Sequence, residues 1–153
     1  MNILFFLTPK AACAHLREED SIRQALERME TSGYAALPIL SKDGRYCGTL
    51  TEGDLLWAIK NLGITDIRHM EKHGIMEISH RKDNQPVPVD TKIDDLMAKA
   101  LEQSVVPVVD DRNTFIGIIT RKAVFQYCME NYFKHAAEQK PKKEVVSPWS
   151  YRI

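Results

Sequence analysis

The chain has 153 residues, of which 44% are hydrophobic and 27% charged, the balance of a soluble globular fold. Its 21 Lys and Arg are matched by 21 Asp and Glu, which excludes a general nucleic-acid or anionic-membrane surface built on excess cations. The apolar run Ile3–Leu7 is too short for a membrane span or a signal-peptide core, and Cys13, Cys47 and Cys128 lack CxxC spacing, so a cytoplasmic protein with reduced thiols is expected.

The spacing of residues predicts the elements in order. An extended piece is expected around Ala12 to Leu16. A first helix starts near Asp20-Ser21, because Ile22, Ala25, Leu26 and Met29 then form one apolar face, and Ser32-Gly33 stops it. Ala36 to Leu40 reads as a short buried strand, Lys42-Asp43-Gly44 as a hairpin turn, and Tyr46 to Thr51 as the return strand. A second helix runs from about Glu52 to Leu62 with Leu55, Leu56 and Ile59 inward. Residues 64–85 carry many charges and three His with no clear period, so they read as a connector, with a short helix around Asp66 to Lys72.

The order then repeats. Pro86 to Val89 is the second extended piece. Thr91 is the expected N-cap of a helix with Asp94 and Asp95 in its first turn and an apolar face of Ile93, Leu96, Met97, Ala100 and Leu101. Val105 to Val109 is a strand, Asp110 to Asn113 a turn, Phe115 to Thr120 the return strand, and a helix follows from Arg121 into Phe133. Pro38-Ile39-Leu40 with Gly48-Thr49-Leu50-Thr51 thus recurs as Pro107-Val108-Val109 with Gly117-Ile118-Ile119-Thr120. Units of about 60 residues are marginal alone, so the copies are expected to pack on one another and leave a cleft. The domains are read as 10–62 for the first copy, 63–84 for the connector and 85–133 for the second copy. Residues 134–153 are read as a flexible tail, unless Trp149 and Tyr151 dock.

Thr51-Glu52-Gly53-Asp54 marks the handover from strand to helix. Thr-x-x-Asp is first a relative of the helix-capping box. At the equivalent place the second copy has Thr120-Arg121-Lys122-Ala123, with the acid gone and two cations in the first turn. Cations there oppose the helix dipole, whereas the free N–H groups favour an anion. Either both side chains point into solvent or a phosphate sits between them.

The doubled pattern of helix, x-Pro-apolar-apolar, turn and Gly-apolar-apolar-Thr resembles the CBS domain, two of which in tandem form a Bateman module. The likeness covers about residues 10–60 and 85–133. Ala14-His15-Leu16, Gly33 to Pro38 and Thr120-Arg121-Lys122 are also similar to stand-alone CBS-pair proteins of Firmicutes that bind cyclic di-AMP. The resemblance implies an α+β fold in which each repeat lays two helices on a small sheet, the sheets packing about a pseudo-twofold axis. It further implies a regulatory protein without catalysis or resident cofactor. Such a protein binds an adenine nucleotide (AMP, ADP, ATP or cyclic di-AMP), signals to a regulated partner protein and dimerises through its helices, here with Leu55, Trp57 and Phe125 to Tyr132 as contacts.

Carried over by position, one cleft joins Ala12, Ala14, Tyr34, Ala35, Ala36 and Pro38 to Thr120, Arg121 and Lys122. The other joins Val87, Ser104, Val105, Val106 and Pro107 to Thr51 and Asp54. Small Ala35 and Ala36 leave room for a base, and Tyr34 either stacks on it or fills core. Asp54 can accept from both ribose hydroxyls, and Arg121 can grip phosphate bidentately beside Lys122. Ala123 departs from the ribose-binding acid, and Glu52 would repel an anion, so the clefts are expected to be unequal. The first then suits phosphate-rich ligands and the second a nucleoside or monophosphate. An interaction scaffold with vestigial clefts is the alternative.

His69 and His73 share i, i+4 spacing without the surrounding pattern of a zinc enzyme, and they read as solvated polar residues. Cys47 and Cys128 read as small buried hydrophobes, and Lys140, Lys142 and Lys143 as a solvated tail.

Overall fold

A computed structural model describes residues 1–79 and 84–139. His80, the lysines at 140, 142 and 143, Trp149 and Tyr151 lie outside the described residues. The short strands β1 (Thr8–Pro9) and β2 (Leu16–Arg17) precede helix α1 (Ile22–Ser32), strands β3 (Ala36–Leu40) and β4 (Tyr46–Thr51) and helix α2 (Glu52–Asn61). After the one-turn helix α3 (Ile67–Met70) the order repeats as β5 (Val87–Pro88), α4 (Ile93–Glu102), β6 (Val105–Val109), β7 (Phe115–Thr120) and α5 (Arg121–Glu138). The architecture is the α+β repeat expected from the sequence.

Local chemistry accounts for most boundaries. Ser21 Oγ accepts from the Gln24 N–H at 3.2 Å while Gln24 Oε1 accepts from the Ser21 N–H at 2.9 Å, a reciprocal cap on α1. Gly33 ends α1 at φ 74°, its N–H donating to Met29 O at 3.0 Å. In the second repeat the expected cap does not form. Thr91 turns its hydroxyl back to Pro88 O at 2.6 Å, and α4 starts after Lys92 with no side-chain cap. Helix α5 runs past Phe133 to Glu138, adding a turn in which His135 and Glu138 pair at 3.6 Å. The extended piece expected from Ala12 begins later, because Lys10–Ala12 is a single 3-10 turn.

Two sheets form, ordered β2-β3-β4 and β1-β7-β6-β5. In each, the first strand of the repeat runs parallel to its neighbour and the hairpin is antiparallel. The extra strand β1 reaches across from the N-terminal segment and pairs with β7, Thr8 opposite Ile118 and Pro9 opposite Gly117. It brings Ile3 and Phe6 into the second repeat's core with Leu96, Val106 and Ile119. The Phe6 ring meets Tyr127 edge-on at 5.1 Å. The sequence reading left this segment without a role.

Each repeat has its own core, and a third cluster joins the sheets through Cys13, Ala36, Leu40, Val105, Phe115 and Ile118. The hairpin tips lock together. The Tyr46 N–H donates to Asn113 O at 3.1 Å, the Phe115 N–H to Gly44 O at 3.0 Å, and Asn113 Nδ2 to Tyr46 O at 3.0 Å.

Several burial expectations are corrected. Leu56 and Leu101 are 61% and 83% exposed, because their apolar faces lie in grooves outside the chain's own cores. Leu55 sits in the first core and also lines the groove beside Leu56. Cys47 is exposed on β4 with Sγ 3.7 Å from Glu18 Oε2. Desolvation, then the nearby Glu18 carboxylate, raises its thiol pKa, so the thiolate is disfavoured. Cys128 is half-buried against the second core. No helix among the described residues is long and apolar enough to cross a membrane.

Tyr46 seals one end of the inter-repeat seam. Its hydroxyl donates to Asn84 O at 2.9 Å and lies 2.7 Å from Thr49 Oγ1. Burial, opposed by the Thr49 hydrogen bond, pushes its pKa from 10.0 to about 12. A raised folded-state pKa gives stability that is full below pH 10 and lost as pH climbs through about 12. Between those limits the protein should lose about 2 kcal/mol more than Tyr46→Phe, read by denaturant melts at each pH. Parallel losses in the two proteins would remove Tyr46 from the seam's energetics.

Candidate functional site

The capping geometry of α2 fixes the first site residues. Thr51 Oγ1 accepts from the Asp54 N–H at 3.1 Å, and Asp54 Oδ2 accepts from the Thr51 N–H at 2.9 Å. This reciprocal box pins the Asp54 carboxylate, 5% exposed, at the mouth of the seam between repeats. The second repeat makes half of that box. Thr120 Oγ1 accepts from the Ala123 N–H at 3.1 Å, and no acid returns the bond. The two handovers are otherwise equivalent, with the Glu52 N–H donating to Ala35 O at 3.0 Å and the Arg121 N–H to Ser104 O at 2.9 Å.

These paired ends wall a cavity of about 450 Å³, within the range of small-molecule sites. Ala35, Thr51, Glu52, Gly53, Asp54 and Trp57 line it from the first repeat. Ser104, Gln103, Glu102 and Arg121 line it from the second, and Asn84 from the connector. Residues assigned to two separate clefts therefore meet in one place: Ala35 and Arg121 from one set, Thr51, Asp54 and Ser104 from the other.

The remaining candidates lie elsewhere. Ala36 and Val105 are buried between the sheets, and Val87 and Val106 in the second core. Pro38 and Pro107 sit within β3 and β6, both fully buried strands. Ala14 and Tyr34 pack on the first core, and the half-buried Tyr34 ring also touches the inter-sheet cluster. Ala12 is exposed on the 3-10 turn. Lys122 lines a different space, an outward groove of about 960 Å³ between α4 and α5 with Met97, Leu101, Val124 and Phe125.

Arg121 is engaged at the boundary of both spaces. Its Nε donates to Ala100 O at 2.7 Å and one terminal nitrogen to Leu101 O at 3.4 Å, so the guanidinium caps the C-terminal end of α4. A cation there complements the α4 dipole, which is a third answer to the question left open by charge placement. The sequence reading missed Gln103, which is buried with Nε2 donating to Gln85 O at 3.1 Å and Oε1 accepting from the Gln85 N–H at 3.0 Å. The repeat register carried the signal, since Gln103 occupies in the second copy the place of Tyr34 in the first.

No curated protein matches the chain by sequence. A CBS domain protein from Streptococcus pneumoniae is 26% identical with TM-score 0.73, covering 86% of this chain and 87% of that one. The CbpB protein of Listeria monocytogenes, solved in complex with c-di-AMP, is 21% identical with TM-score 0.71, over 85% of this chain and 95% of that one. CBSX2, solved in complex with AMP, is 22% identical with TM-score 0.69, over 86% and 98%. The family model for the CBS domain matches residues 9–61 and again 75–130. The chain therefore belongs to the CBS domain family and carries two CBS repeats in tandem.

Proposed function

We propose that the protein is a cytoplasmic, non-catalytic sensor that binds an adenine nucleotide in the cavity between its repeats and passes the signal to a partner protein. The observation that carries this reading is the convergence of Asp54, Ser104 and Arg121 from different repeats on one cavity. Asp54 is held where a ribose can donate to it, and backbone groups beside Ala35 and Ser104 suit a flat base. The complexes of CbpB with c-di-AMP and of CBSX2 with AMP support the ligand class. Glu52, Asp54 and Glu102 set three carboxylates against the Arg121 guanidinium, a balance that favours a nucleoside or monophosphate over a polyphosphate. The nucleotide acts as a regulatory ligand with no resident cofactor beside it. Binding in the seam favours one arrangement of the repeats, and coupling of 1–3 kcal/mol is typical of such linkage. Two copies associate through the exposed apolar grooves around Leu56 and Leu101, with Phe125 and Tyr132 at the α5 face.

The test is calorimetric titration of nucleotide-free protein with AMP, ATP and cyclic di-AMP. AMP should bind with micromolar affinity, and Asp54→Ala should weaken it about tenfold or more through the lost charged hydrogen bond. Arg121→Ala should weaken AMP more than adenosine. A scaffold reading is favoured by the engagement of Arg121 with α4 carbonyls and by Ala123 in place of an acid. Silence with all ligands, alongside a dimeric mass in light scattering that nucleotide does not change, would establish that reading instead.

A further inference from the structure

His69 and His73, read from sequence as solvated, are half-buried and in contact. Their Nε2 atoms are hydrogen-bonded at 3.4 Å, one ring donating and the other accepting, with ring centroids at 5.2 Å. The surrounding chain holds both rings in place. Asp66 Oδ1 accepts from the His69 N–H at 2.8 Å and starts α3. The Ile22 N–H donates to His73 O at 2.9 Å, and the Ile75 N–H to Asp20 O at 2.9 Å, clasping residues 73–75 to the start of α1. Ile75 is fully buried in the first core. Glu77 Oε2 accepts from the Gly74 N–H at 2.9 Å and lies 3.1 Å from His73 Nδ1.

The carboxylate is an acceptor, so the proton of His73 belongs on Nδ1 and its Nε2 presents a lone pair toward His69. A zinc-class ion bonds imidazole nitrogen at about 2.0–2.1 Å, and two ligands of a tetrahedral ion then lie about 3.3–3.4 Å apart. The two nitrogens already stand at about that separation through their hydrogen bond, so an ion would replace the shared proton without moving either ring. The carboxylate behind His73 is the outer partner that metal-bound imidazoles usually have.

We propose that His69 and His73 form a binding site for a divalent transition metal of the zinc, copper or nickel class, oriented by Glu77. The described residues contain no cluster of three or more His, Cys, Asp and Glu able to hold a metal. The site is therefore an open two-imidazole site whose other positions take water or an outside ligand, and the ion exchanges readily. Its occupation ties α3 to the 73–77 clasp and stabilises the connector beside α1 by mass action.

The experiment is titration of tag-free, chelator-stripped full-length protein with Zn²⁺ alone, followed by calorimetry and thermal melting, with Cu²⁺ as a second probe expected to bind more tightly. One Zn²⁺ per chain should bind in the micromolar range and raise the melting temperature. His69→Ala and His73→Ala should each abolish saturable binding, and Glu77→Gln should weaken it about tenfold while leaving the stoichiometry intact. His135→Ala, on the far end of α5, should change nothing. Absence of saturable binding up to millimolar Zn²⁺, or binding that survives both His69→Ala and His73→Ala in correctly folded protein, would overturn the proposal.

Discussion

Gly117→Ala should release the N-terminal segment from the second repeat and lower stability by several kcal/mol, whereas Gly48→Ala should cost far less. The two glycines occupy the same place in the repeat and have nearly the same backbone, φ 159° and 152°. The backbone cost of a side chain is therefore common to both. What differs is the neighbour. A Cβ on Gly117 would stand 2.3 Å from Thr8 O and 2.9 Å from Leu7 Cδ1, but one on Gly48 meets nothing within 4 Å. A backbone carbonyl cannot step aside as a flexible side chain can, so relief requires β1 to leave β7. Ile3 and Phe6 leave the core with it, at about 1.5–3 kcal/mol each. The sum is a large part of the 5–15 kcal/mol typical of a domain. Denaturant melts of both variants, with hydrogen exchange at residues 3–9, measure it. Equal losses, with residues 3–9 still protected in Gly117→Ala, would show that β1 docks without needing the glycine.

Asp20→Ala should lower stability by about 2–3 kcal/mol through loss of charged hydrogen bonds. Asp20 is 5% exposed, and its Oδ2 accepts from the Arg17 N–H and from the Arg28 guanidinium, both at 2.8 Å. Arg28 also donates to His15 O at 2.9 Å. One carboxylate thus fastens the segment carrying β2 to α1. The Arg28 side chain is 39% exposed, so water replaces part of what it loses, and the cost stays below that of breaking a dry ion pair. Asp20→Asn should fall between, because an amide oxygen still accepts from Arg17. A midpoint shift at constant denaturant dependence is the measure, and an Asn variant no better than Ala would place the whole effect in charge.

The doubled strand-turn-strand pattern was legible residue by residue. Ala36–Leu40, Tyr46–Thr51, Val105–Val109 and Phe115–Thr120 occur with the boundaries expected, because buried apolar runs, turn residues and the repeat all agree. Exposure of Leu56 and Leu101 was not legible. Periodicity reports that a helix face is apolar, not whether the chain's own core covers it. The cap at Thr91 failed for a local reason, since its hydroxyl has a nearer acceptor in Pro88 O. The cavity was half legible. Ala35, Thr51, Asp54, Ser104 and Arg121 were named and Gln103 was reachable through the repeat register, while Glu102 and Asn84 enter through the meeting of repeats, which no local pattern encodes. The partner of Arg121 was likewise hidden, because the α4 carbonyls reach it only through tertiary packing.

The reach of β1 across the molecule has a consequence for the nascent chain. The sheet β2-β3-β4 draws only on residues 16–51, so it can close soon after that stretch leaves the ribosome. Ile3 and Phe6 must wait for Phe115–Thr120 to be buried, a delay of several seconds at about 5–20 residues per second. During that interval these side chains stay uncovered, open to chaperones and to neighbouring chains on the same message. Completion of the second repeat then buries Ile3 and Phe6 and ties Thr8 to Ile118.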